Sequence, residues 1–75
     1  MSFVMYSKDQ CVFCDKARNL LKKEGKEFIE YKLDKDFNRE TLLELFPQAR
    51  SFPVITLDKE FIGGYNELYD LLVTY

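Results

Sequence analysis

The stretch Phe3-Val4-Met5-Tyr6-Ser7-Lys8-Asp9-Gln10-Cys11-Val12-Phe13-Cys14 decides the architecture. Its first four residues are a short apolar run of the kind that forms a buried strand. Ser7 to Gln10 is polar and reads as a loop. From Cys11 the apolar period becomes helical. Cys14, Ala17, Leu20, Leu21 and Glu24 recur at i, i+3 and i+4 spacing, while Lys16, Arg18, Lys22 and Lys23 fall mostly on other faces. Gly25 follows Lys22-Lys23-Glu24, a helix stop with cations favourably placed in the last turn.

Working outward, Phe28 to Leu33 alternates partly and reads as a second strand, broken by Asp34-Lys35-Asp36. Asn38 is suited to cap a second helix with a stripe of Leu42, Leu45 and Phe46, ended by Pro47. Pro53 opens a third strand, Val54 to Leu57, and the short turn Asp58-Lys59 makes a fourth, Phe61-Ile62, antiparallel to it. Gly63-Gly64 permits a sharp bend, and Asn66 is placed to cap a last helix. Its stripe is Leu68, Leu71 and Leu72, and it runs nearly to Tyr75. A helix between the first two strands requires them to be parallel. The expectation is an α/β fold: one four-stranded mixed sheet in the order β-α-β-α-β-β-α, with helices on both faces.

Seventy-five residues allow one small domain spanning 1–75 with a modest core. Twelve aromatic residues, seven Phe and five Tyr, argue against disorder. Eleven basic and thirteen acidic residues give a net charge of −2, which speaks against nucleic acid as a partner. No apolar run approaches the ~20 residues of a membrane span. The first residues lack the basic region of a signal peptide, so a reducing, cytoplasmic location is expected. The small size and the apparent lack of a spare apolar helix face favour a monomer.

Cys11 and Cys14 are the only cysteines. A Cys-x-x-Cys pair beside a βαβ pattern in such a compartment is the signature of thioredoxin-like redox proteins. The first thiol sits where unpaired helix N–H groups and the positive dipole end converge, which stabilises a thiolate. The second lies about one turn further on, within reach of an internal disulfide. A thiol of pKa ~8.5 is only about 3% ionised at pH 7, whereas one of pKa ~6 is about 90% ionised. The ~30-fold gain in thiolate is offset by a loss of roughly 18-fold in nucleophilicity, so the larger benefit is an easily released sulfur.

Other readings of the pair are weaker. A zinc site usually needs four Cys or His ligands, and the chain has two Cys and no His, so no metal is expected. A structural disulfide would close a very small loop, where stabilisation is least. Two cysteines packed as apolar residues suit Cys14 but not Cys11 beside its polar loop. The absence of His also excludes Cys/His nucleophilic catalysis. Lys8 can support a thiolate or bind a carboxylate, or be an ordinary solvated lysine. Pro53 at a strand start reads as either a tolerated trans proline or a functional cis one. The helix entry after Gly63-Gly64 is either a tight bend or an anion site.

Taken together, four segments make the chain resemble a glutaredoxin over essentially its whole length. They are Lys8 with Cys11-Val12-Phe13-Cys14, Ala49-Arg50-Ser51-Phe52-Pro53, Phe61-Ile62-Gly63-Gly64, and Tyr65-Asn66-Glu67-Leu68. The resemblance implies a minimal thioredoxin-like fold and glutathione-dependent reduction of protein disulfides or glutathione mixed disulfides. Cys11 would be the nucleophile, Cys14 the resolving thiol, and Pro53 would be cis. Glutathione would be held by Lys8, Phe13, Phe52, Pro53, Tyr65, Asn66 and Glu67. In that arrangement the Phe52 backbone pairs with the cysteine moiety, Lys8 faces the glycine carboxylate, and the start of the last helix holds the γ-glutamyl carboxylate. Arg39 or Arg50 would add charge.

The chain departs from the family pattern at Val12 and Phe13, in place of the usual Pro and Tyr, and at Ser51-Phe52, in place of Thr-Val. Val12 resembles the redoxins that are recharged by thioredoxin reductase and that serve ribonucleotide reductase. This is the alternative electron route, with a ribonucleotide reductase as a partner by family habit. A third role in the family is an iron–sulfur carrier.

Overall fold

The computed structural model describes residues 2–73, which fold as β1 (Phe3–Ser7), α1 (Val12–Lys23), β2 (Phe28–Lys32), α2 (Arg39–Leu45), β3 (Val54–Leu57), β4 (Glu60–Gly63) and α3 (Tyr65–Val73). The element order matches the sequence reading. β1 is parallel to β2 and antiparallel to β3, and β3 is antiparallel to β4. The sheet order is β2-β1-β3-β4, so β1 and β3 are central.

Strand alternation divides the side chains between two layers. Phe3 and Met5 of β1 and Ile55 of β3 join Ala17, Leu20 and Leu21 of α1 and Leu68 of α3 in the main core. Tyr6 points to the opposite face, where its ring meets those of Tyr31, Phe37 and Phe46 at centroid distances between 5.3 and 5.7 Å. Phe46 directly follows α2 and brings that helix onto this face. The sheet therefore carries α1 and α3 on one side and α2 on the other.

Local chemistry explains the element ends. α1 stops in a Schellman motif: Gly25 takes φ +71°, Lys26 N–H reaches the Leu21 carbonyl, and Gly25 N–H reaches that of Lys22. Asn38 caps α2 as expected, its side chain accepting from Thr41 N–H at 2.8 Å. Asp58 and Lys59 both take positive φ, as a two-residue hairpin turn requires.

Several expectations are corrected. Ser7 is the last residue of β1 rather than the start of a loop, and it is wholly buried because it stands in line with Phe3 and Met5. Glu24 is the exposed C-cap of α1, outside its apolar stripe. Leu45 faces solvent, because two turns of α2 leave only Leu42 buried and Phe46 has left the helical conformation. Leu71 is also exposed. Tyr69 and Val73 are exposed as well, but on the opposite flank of the buried Leu68 stripe from Leu71, so the three do not form one continuous apolar face. The expected continuation of the last helix toward Tyr75 lies outside the described residues.

Leu21 is fully buried between α1 and the sheet. Leu21→Ala should lower unfolding stability by about 2–5 kcal/mol. The denaturant midpoint should fall with its slope unchanged.

Candidate active site

The strand register brings three chain segments to one end of the sheet. Tyr6 pairs with Val54, so the end of β1 lies beside the start of β3. Ile55 pairs with Gly63, so the end of β4 returns to the same place. The loop leading to Cys11, the Phe52-Pro53 segment and the start of α3 consequently meet.

Cys11 is the N-cap of α1. Its extended backbone (φ −122°, ψ 105°) turns the sulfur over the first helical turn, where Sγ accepts from the Cys14 N–H at 3.1 Å. The Cys11 carbonyl accepts from the Asp15 N–H, also at 3.1 Å. The two cysteines form a disulfide with Cα atoms 5.2 Å apart. Cys14 is fully buried, and Cys11 is only 9% exposed. The expectation of an open Cys11 is therefore corrected: folded onto the helix end and bonded to Cys14, it shows solvent little more than an edge. The same N–H and the helix dipole stabilise negative charge on that sulfur once the bond is opened.

Val12 and Phe13 lie on the outward side of this turn and are exposed. The Phe13 ring is 6.1 Å from that of Tyr65, with Lys16 Nζ 5.2 Å from its centroid. Opposite, the Phe52-Pro53 peptide is cis. Phe13, Ser51, Phe52, Pro53, Gly64, Tyr65, Asn66 and Glu67 line one cleft of about 300 Å³. Six of the seven residues expected to hold glutathione are thus brought together. The seventh, Lys8, lies outside the cleft but places Nζ 5.9 Å from the Phe52 ring centroid, and the Arg39 guanidinium approaches the same ring at 5.8 Å.

The glycine pair is required by this meeting of segments. Gly63 has φ +128°, and a Cβ there would lie 2.6 Å from Glu67 Cγ; one on Gly64 would lie 3.3 Å from the Pro53 carbonyl oxygen. Asn66 does not cap α3. The Glu67 carboxylate does so by accepting the Gly64 N–H at 2.7 Å, while Asn66 lies within the first turn. Among the described residues no three His, Cys, Asp or Glu side chains are arranged to hold a metal ion.

The glutaredoxin family model matches residues 3–62, from the first strand into β4. The chain belongs to the glutaredoxin family. It is 40% identical over 68 residues to a probable glutaredoxin of Synechocystis sp., covering 89% of this chain and 77% of that protein. Among solved structures it is similar to glutaredoxin from Brucella melitensis, with a TM-score of 0.76 and 27% identity over 95% of this chain and 77% of that one. It is also similar to a buckwheat glutaredoxin–glutathione complex, with a TM-score of 0.75 and 25% identity over 87% of this chain and 62% of that one. Membership makes this chain a thiol–disulfide oxidoreductase with Cys11 and Cys14 as its cysteine pair.

This glutaredoxin also contains a polar cluster that the sequence reading missed. The Glu30 carboxylate accepts from Arg18 Nε at 2.8 Å, Arg18 Nη2 at 2.7 Å and Ser7 Oγ at 2.6 Å. Arg18 Nη1 reaches Asp15 at 2.7 Å. The signal was present: Glu30 and Ser7 both occupy inward positions of alternating strands, where a polar residue needs a partner. Hydrogen bonds from Arg18 lower the Glu30 pKa from 4.5 to about 2; partial burial opposes this, and Ser7 and Lys32 add to the lowering. The bonds to Glu30 and Asp15 raise Arg18 in turn.

A carboxyl with a depressed folded-state pKa stabilises the fold above its unfolded pKa, and that contribution is lost as pH falls through the folded value. Glu30 should therefore stabilise this glutaredoxin fully above about pH 5 and cease to do so near pH 2. At pH 7, Glu30→Gln should be less stable by about 1.5–3 kcal/mol. Melting temperatures between pH 7 and pH 2 should converge for the two proteins.

Proposed function

We propose that this glutaredoxin reduces protein disulfides and glutathione mixed disulfides with glutathione as its electron donor. The observation that carries this reading is the cleft that joins Phe13, next to Cys14 in the Cys-x-x-Cys turn, the backbone around cis-Pro53 and the first turn of α3. Its features suit an extended tripeptide with a carboxylate at each end. The Phe52 backbone is available for pairing with the central cysteine. Lys8 and Arg39, both against the Phe52 ring, provide positive charge at one end. At the other, the backbone N–H groups of Tyr65, Asn66 and Glu67 precede the first carbonyl that α3 can offer them and favour an anion. The similar buckwheat protein was solved with glutathione, which supports the same ligand here.

The chemistry follows from the positions of the sulfurs. The Cys11 thiolate attacks one sulfur of a substrate disulfide; a new S–S bond forms and the second substrate sulfur leaves as a thiolate that takes up a proton. Cys14 then attacks the Cys11 sulfur, releases the first substrate thiol and forms the Cys11–Cys14 disulfide. One glutathione thiolate opens that disulfide as a mixed disulfide on Cys11. A second attacks the bound glutathione sulfur, giving glutathione disulfide and the dithiol protein. Each round moves two electrons from two glutathione molecules to one disulfide. With a glutathione mixed disulfide as substrate, free glutathione can resolve the Cys11 adduct without Cys14.

The deciding assay is turnover of a glutathione mixed disulfide with glutathione and glutathione reductase as the sole electron supply. Wild type should turn over, and Cys11→Ser should fall to the uncatalysed background. Cys14→Ser should lose protein-disulfide reduction but keep removal of glutathione. Lys8→Gln should raise the KM for the mixed disulfide roughly two- to fivefold, the effect of losing one exposed charge pair. No turnover, with protein disulfides still reduced when thioredoxin reductase is supplied, would assign the other electron donor.

A further inference from the structure

The exchange reaction leaves one feature of the fold unused. Arg18 sits between two carboxylates, Glu30 of β2 and Asp15 of α1, and Ser7 at the end of β1 completes the cluster. These attachment points surround the Cys11 turn. Ser7 is four residues before Cys11, and β1 ends there. Asp15 follows Cys14, and its own N–H donates to the Cys11 carbonyl. The cluster thus spans the short loop 8–10 and clamps the first turn of α1 to the two strands on that side of the sheet.

While the disulfide is closed, a covalent bond holds Cys11 over the helix end. Once it is opened, that constraint is gone and only non-covalent ties keep the Cys14 N–H directed at the Cys11 sulfur. Charge matters as much as position. The ionisable groups around this turn are Lys8 and Asp9 of the loop, Asp15 and Lys16 of α1, Glu30 and Lys32 of β2, and Glu67 of α3. Lys32 is engaged with Asp9 at 3.5 Å, and Glu67 with the Gly64 N–H. Arg18 is the ion-pair partner of both Asp15 and Glu30, with Lys32 adding a weaker attraction on Glu30. Without it, two carboxylates near the turn would oppose a negative sulfur.

We propose that Arg18 is a positioning residue for the redox thiol. Its guanidinium clamps the first turn of α1 to Glu30 and Ser7 and offsets the Asp15 and Glu30 charges, so that Cys11 stays directed and acidic in the dithiol protein. The proposal rests on Cys11 being the attacking thiol.

The test is the pH dependence of iodoacetamide alkylation of the reduced protein, with the modified cysteine identified by peptide mass. Wild type should be alkylated at Cys11, since Cys14 is buried. Alkylation at Cys14 instead would refute Cys11 as the nucleophile and leave the clamp itself to be judged from the variants. Arg18→Gln should move the midpoint up by about one unit, which is about tenfold less thiolate at acidic pH, with the alkaline plateau raised about threefold by the more basic sulfur. Glu30→Gln, which leaves Arg18 with surplus positive charge, should move the midpoint down. Arg18→Lys should stay near wild type. Both Gln variants should melt at lower temperature, so opposite shifts in midpoint separate charge control from a loss of stability.

The equilibrium of the protein disulfide with two glutathione should follow. For Arg18→Gln, formation of dithiol and glutathione disulfide should become less favourable by up to about tenfold, or about 30 mV toward a more reducing potential. Midpoints of Arg18→Gln and Glu30→Gln that match wild type, or that move in the same direction, would overturn the proposal. If Arg18→Gln does not fold, Glu30→Gln and Arg18→Lys decide it alone: a midpoint raised or unmoved in Glu30→Gln, or raised by a full unit in Arg18→Lys, refutes it.

Discussion

The hydrogen bond from the Cys14 N–H to the Cys11 sulfur imposes most of what surrounds it. A sulfur can take the N-cap position only if the chain leaves a strand, turns sharply and starts a helix within a few residues. Here that turn occupies Lys8 to Gln10, with Gln10 at φ +55°. The helix must then be fixed against the sheet, because a helix end that wanders carries its dipole and its N–H groups away from the sulfur. Ala17, Leu20 and Leu21 provide that attachment by packing with Phe3, Met5 and Ile55, and Cys14 is buried on the same helix. The acidity expected of the thiol and the packing of the core are consequently two outcomes of one helical period.

The second half of the site depends on strand order. β1 and β3 are antiparallel neighbours, so the end of one coincides with the start of the other. The β3–β4 hairpin then returns the chain to the same end before α3 begins. No residue near the cysteines in sequence contributes Pro53 or Tyr65; sheet topology delivers them. The glycine pair is the local condition for this closeness, since side chains at Gly63 and Gly64 would meet Glu67 and the Pro53 carbonyl. The Glu67 carboxylate in turn occupies the Gly64 N–H, which leaves the succeeding N–H groups of α3 facing the cleft.

How legible this was in the sequence varied with the physics involved. Periodicity and punctuation were strong where a buried face was continuous: element order, strand directions, the Asn38 cap and the Gly25 stop all agree with the structure. Short helices were harder. Seven residues of α2 can bury only one position well, so Leu45 looked like core and is not. Competition at a cap was also hard to read, because Asn66 and Glu67 both suit the start of α3 and only the turn geometry selects the carboxylate. Ser7 and Glu30 were hidden for a different reason. A polar residue on an inward strand position signals a partner, yet the partner, Arg18, lies on another element.

The departures from the family pattern have a common location. Val12 and Phe13 lie on the outward side of the first helical turn, and Phe52 stands at the cleft with Lys8 and Arg39 against its ring. None of the three belongs to the core that holds α1 in place. Substitution at these positions can therefore change the shape, apolarity and charge that an incoming disulfide meets, while the N–H at the sulfur and the packing behind it persist. The opposite holds for Arg18 and Glu30, which lie away from the cleft yet adjoin the turn that carries both cysteines. On the proposed reading, recognition and thiol acidity fall to separate sets of side chains, joined through the first turn of α1. This is the arrangement expected if one reaction is to be fitted to different partners without rebuilding the sulfur's surroundings each time.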